Sequence, residues 1–206
     1  MNNLNIEVYS EVFTHTILTE IPTLLTTLGG SSIFKDLNEN EWNIMMKEFL
    51  LFEIHLCDRL FFLWYGDEFR NKLFDKIVTE IAFVLDKMWL KHEITLENKL
   101  NKITMESFAD YLKEIRADVL TFDWFISEYN QRTNEYVKYK FERPGEDESW
   151  EGWLFWEFGK RVASLLGRDS NAIIIVSLQR SALSFMKLIG SAKELIDKKL
   201  ENNLLN

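Results

Sequence analysis

The chain has 206 residues, 47% hydrophobic and 28% charged, with 8 glycines, 2 prolines and a net charge of −9. That is the balance of a globular protein, and so few turn-forming residues exclude a sandwich or barrel of many short strands. The acidity lies toward the N-terminal side, at −6 over residues 1–65, −4 over 66–131 and +1 over 132–206. It repels phosphate backbones, so no nucleic acid is expected as a partner, whereas a basic protein partner is compatible with it.

The lone cysteine, Cys57, excludes an internal disulfide framework and a multi-cysteine zinc site. The opening residues, MNNLNIEVYSEVF, lack the basic segment and long apolar run of a secretory signal. The longest uncharged stretches, such as Ile21–Phe34, are shorter than a membrane span and contain Gly and Pro. The expectation is a cytoplasmic protein with no membrane partner.

In chain order, residues 6–28 carry a helical pattern that Pro22 is expected to kink or divide, and Gly29–Ser32 is the clearest breaker. Asn38 and Glu41 have capping-box spacing for a helix over 39–65. Gly66 ends it, and Asp67 starts another that runs to Leu90. There Leu73, Ile77, Ile81, Val84, Leu85 and Met88 share one side, with Lys72, Lys76, Glu80 and Lys87 elsewhere. After a polar connection Thr104 caps a helix to Asn130, whose core stripe is Phe108, Leu112, Ile115, Val119, Phe122 and Ile126. Leu120 and Trp124 add a second stripe on its far side, which implies burial on two sides or a partner contact.

Residues 132–149 break the pattern as an irregular excursion, strand-like in YVKYKF and acidic in RPGEDES. Ser149 can cap a short helix beginning at Trp150, and Gly167 stops it. Asp169 or Ser170 starts the last helix, lined by Ile174, Leu178, Ala182, Phe185, Ile189, Ala192 and Ile196, before a fraying tail at 201–206. Together these elements predict an all-α fold: one domain over 1–206, a single irregular bundle of about six helices with an apolar helix at its centre.

That central helix is 39–65. At about 100° per residue, its apolar residues span more than half the circumference, so neighbours are expected on several sides. Lys47, Glu48, His55, Asp58 and Arg59 share the remaining arc, read as a solvated or half-buried polar edge. Glu53 falls within the apolar sector, so its carboxyl should point into the core, where it must be paired, hydrogen-bonded or protonated. Glu53, His55, Asp58 and Arg59 form the candidate polar site, with Glu53 as a general base or as one ligand of a metal inside the bundle.

Known catalytic patterns are missing. None of His15, His55 and His92 has a Glu three residues before it, which excludes the di-iron bundle motif, and HEITL at His92 lacks the second histidine of a zinc protease. No phosphate-binding loop, dinucleotide fingerprint or nucleophile elbow is present. No cofactor, metal or catalytic residue is assigned. The densest aromatic stretch, Ser149–Arg161, brings Trp150, Trp153 and Trp156 together beside acidic residues. With Leu120 and Trp124 these form the candidate interaction surface. The expected function is a non-enzymatic protein-interaction or oligomerisation module. The alternative is a small-molecule binding protein or enzyme with a core cavity around Glu53.

Overall fold

The computed structural model describes residues 3–29, 31–90 and 123–204. Among them the chain is all-α. Five helices pack together: α1 (Asn3–Gly29), α2 (Glu39–Leu90), α3 (Asp123–Tyr136), α4 (Leu154–Leu165) and α5 (Ala172–Leu204). The predicted helix start at Thr104, most of its core stripe and Leu120 lie outside the described residues.

α1 runs through Pro22 undivided. Its threonines do not disturb it, because Thr16, Thr19, Thr23 and Thr27 each donate to the carbonyl four residues back, at 2.8, 2.8, 3.2 and 2.9 Å. Tyr9, Phe13 and Ile17, spaced by four, bury one side of α1 against α2.

α2 opens on the predicted capping box: Glu41 N–H donates to Asn38 Oδ1 at 3.0 Å and Asn38 N–H donates to Glu41 Oε2 at 2.8 Å. The helix breaks where expected, at Gly66, whose φ of 72° and ψ of 178° are open only to glycine. The first arm is central: every side chain from Glu48 to Asp58 is buried. Its end emerges, leaving Phe62 and Leu63 exposed. On the second arm Leu73, Ile77 and Ile81 are buried as predicted, but so are Phe74, Val78 and Glu80. Glu80 accepts a hydrogen bond from Thr14 of α1 at 3.1 Å, which brings it inside rather than onto the polar side.

α3 extends six residues past the predicted end at Asn130. Phe125, Tyr129, Arg132 and Tyr136 continue one buried face through what the sequence marked as an excursion. The strand-like run reduces to one bridge, Lys140 N–H to Gly152 O and Leu154 N–H to Lys140 O, both at 2.8 Å.

α4 begins four residues later than a Ser149 cap requires. Ser149 instead accepts from Glu151 N–H within a turn, and the Glu157 carboxylate reaches back to Gly152 N–H at 3.0 Å. Gly167, at φ 66°, closes α4 with Arg168 N–H on Ala163 O and Gly167 N–H on Ser164 O. Asn171, not Asp169 or Ser170, caps α5: its Oδ1 accepts from the N–H groups of Ile173 and Ile174.

α4 and α5 pack closely enough that a Cβ on Gly159 would sit 2.6 Å from the Ile175 carbonyl oxygen. α5 continues to Leu204, past the expected fraying point. Tyr9 donates to Asp197, and the Lys193 ammonium lies over the rings of Trp64 and Tyr65, fixing α5 to α1 and α2. Within α5, Ala172–Glu201 is long and apolar enough to cross a membrane by length and composition. Arg180 and Lys187 interrupt that stretch, so a search for uncharged runs passes over it. Here one of its faces, from Ile174 to Ile196, is buried in the bundle.

Candidate functional site

The four polar candidates on the first arm of α2 do not meet as one site. Glu53 is fully buried, as the helical projection predicts. Neither carboxyl oxygen has a hydrogen-bond partner among the described residues. Burial, and then repulsion from Glu20 of α1, raise its pKa well above the ordinary value, so the core favours the protonated, neutral form of Glu53.

His55 points elsewhere, against the Tyr136 ring at 5.6 Å, and is 1% exposed. Burial, helped by the Arg59 charge, lowers its pKa to about 3. It is an uncharged core imidazole, not a residue of a solvated edge.

Asp58 is also buried and forms an ion pair with Arg70 of the second arm. Burial raises its pKa, and Arg70 opposes that shift. Arg59 is half-buried and donates to the carbonyls of Tyr139 and Val137 at 2.9 and 2.8 Å. It straps the segment after α3 onto α2. The expected polar edge is thus covered by α3, α4 and this segment, and its groups serve structural contacts.

The best-partnered charge on this helix is one that no local pattern singles out. Glu48, 2% exposed, accepts from Arg132 Nε of α3 at 2.9 and 3.1 Å and from Arg161 Nε of α4 at 2.8 Å. Arg161 Nη1 also meets Glu135 at 2.7 Å. These partners lie 84 and 113 residues from Glu48, beyond any local pattern.

The clefts of the described surface include the following three. One of about 550 Å³ is lined by charged residues including Glu135, Lys138, Lys160, Arg161 and Asp169. One of about 380 Å³ lies at Asp58, Arg59, Phe62, Leu63 and Phe141. The third, about 620 Å³, lies between the aromatic turn and α5 and is lined by Trp150, Trp156, Lys160, Asp169, Ile175 and Val176, among others. None of the three is lined by Glu53 or His55.

The residues of the candidate interaction surface differ in exposure. Trp150 is 36% exposed and Trp156 half-buried, with their ring centroids 5.9 Å apart. The Arg143 guanidinium lies 5.7 Å from the Trp150 ring. Trp153 is a correction: it is 3% exposed, its Nε1 donates to Phe141 O at 3.3 Å, and it belongs to the core. Trp124 sits in the first turn of α3 with its side chain outside the described residues.

Among the described residues no group of three or more His, Cys, Asp or Glu side chains is placed to hold a metal ion. Compared with known proteins, the chain matches no family model, no curated protein and no solved structure.

Proposed function

We propose that this chain is a non-enzymatic protein-interaction module that docks a partner in the cleft between the aromatic turn and α5. The supporting observation is the pairing of Trp150 and Trp156 with Ile175 and Val176 around a cleft of about 620 Å³. Aromatic side chains in such a setting supply binding area at little entropic cost. The titratable groups of the first arm favour this reading over catalysis. Asp58 and Arg59 are committed to ion pairing and backbone contacts, and His55 is buried away from all three clefts. The reading includes a cytoplasmic setting and a protein, not nucleic acid or membrane, as partner.

A random-peptide display screen against the full chain tests it. Enriched peptides should lose binding to the Trp150→Ala variant while retaining the sequence pattern that selected them. If no enriched peptide depends on Trp150 or Trp156, the reading fails. The alternative, ligand binding or catalysis in a core cavity, keeps one observation, the unpartnered carboxyl of Glu53.

A further inference from the structure

The chemistry of the docked partner follows from the charges around the tryptophan cleft. We infer that the partner segment is basic and amphipathic, with apolar side chains seated against Trp150 and Trp156 and Lys or Arg residues on its flanks; this rests on the docking reading above.

Residues 142–151 hold five carboxylates, at Glu142, Glu146, Asp147, Glu148 and Glu151, against one cation, Arg143. All are exposed, and Arg143 is turned onto the Trp150 ring. Across the cleft Asp169 adds another exposed carboxylate, while Lys160, the cation of the lining, is engaged by Glu157 at 3.4 Å.

The contrast with the rest of the bundle is informative. Glu48, Asp58, Glu128 and Glu135 each meet an Arg or Lys of this chain. Glu142, Glu146, Asp147, Glu151 and Asp169 have no ion pair among the described residues.

The acidic turn is also held in shape. Glu148 N–H donates to Gly145 O at 3.2 Å, and Gly145 N–H donates back to the Glu148 carboxylate at 3.1 Å. Its charges are therefore presented beside the cleft by a folded turn, an arrangement that steers a positively charged partner.

The cleft's size sets the kind of partner. At about 620 Å³ it takes a few apolar side chains of one segment. A second copy of this chain presenting the same face would bring two acidic turns together, which a self-complementary contact disfavours.

Three synthetic helical peptides of equal length test this on the full chain: Leu/Lys, Leu/Glu with the same apolar face, and Ser/Lys with the same charge. Binding is read by calorimetry and by the Trp indole N–H signals in NMR. The Leu/Lys peptide should bind at least about tenfold more tightly than either of the others at low salt. Its signal changes should centre on Trp150 and Trp156. Glu146→Lys with Asp147→Lys, both exposed and unpaired, should weaken it about tenfold, and the loss should shrink as salt rises.

Equal binding of Leu/Lys and Leu/Glu overturns the partner chemistry and leaves apolar docking standing. Equal binding of Leu/Lys and Ser/Lys reduces the effect to general attraction and overturns the inference. If neither Leu-bearing peptide perturbs the Trp150 or Trp156 signal, the docking reading falls with it.

Discussion

Replacing Glu53 by Gln, which keeps the shape of the protonated acid and removes its titration, exposes how the core handles a carboxyl. In the unfolded chain Glu53 ionises near 4.5, whereas in the fold burial and Glu20 hold it protonated to a much higher pH. The folded state therefore binds more protons in that window, and stability falls as pH rises, by about 1.4 kcal/mol per unit. This contribution is fully present below the unfolded pKa and is lost as pH rises through the folded one.

His55 works in the opposite direction. Its folded pKa of about 3 against an ordinary 6.5 means that stability is lost as pH falls below 6.5. Between pH 4.5 and 6.5 these two slopes oppose each other, and Glu53→Gln unmasks that of His55. The stability of the variant relative to the native chain should thus rise steadily with pH over those two units, measured by urea unfolding at a series of pH values. A difference that stays constant with pH would mean that Glu53 ionises normally in the fold, and the account of a neutral buried acid would be wrong.

Glu48→Ala leaves Arg132 and Arg161 without their shared carboxylate, and the loss should be about 3–5 kcal/mol in urea unfolding; a loss below 1 kcal/mol would sink the assignment. Gly159→Ala places a methyl 2.6 Å from the Ile175 carbonyl and should cost about 1–3 kcal/mol by forcing α4 and α5 apart. Arg59→Ala should release the 137–141 segment, seen as faster amide exchange at Lys140 and Leu154 with exchange along α5 unchanged.

The helices were legible where a local signal fixed them. Asn38 and Glu41 cap each other across three residues, Gly66 and Gly167 take backbone angles that mark a break, and the Ile174–Ile196 stripe repeats every three or four positions. The start of α4 was misplaced because Ser149 bonds within its own turn, a choice that sequence spacing does not separate from capping.

For the candidate site, angular position alone placed Glu53 in the core, because a central helix hides nearly all its faces. The same projection failed for His55 and Asp58. A polar arc reads as solvent-facing until the groups that cover it are known, and those groups, Arg70, Tyr136 and the 137–141 segment, come from distant parts of the chain. Trp153 illustrates the limit at the aromatic turn, where three neighbouring tryptophans divide between core and surface according to one backbone bridge at Lys140.

The joint at Gly66 has a consequence for handedness. Among the described residues, and apart from the adjoining backbone, no atom lies within 4 Å of where a side chain's first carbon would sit, so packing does not crowd that position. The barrier is in the torsion angles, φ 72° and ψ 178°, whose mirror image is ordinary extended backbone. Alanine and leucine of the natural hand should therefore be disfavoured alike, by roughly 1–3 kcal/mol, whereas D-alanine introduced by chemical synthesis should fit with little strain. What this bend in the central helix selects is mirror symmetry rather than smallness, and glycine is the one encoded residue that has it.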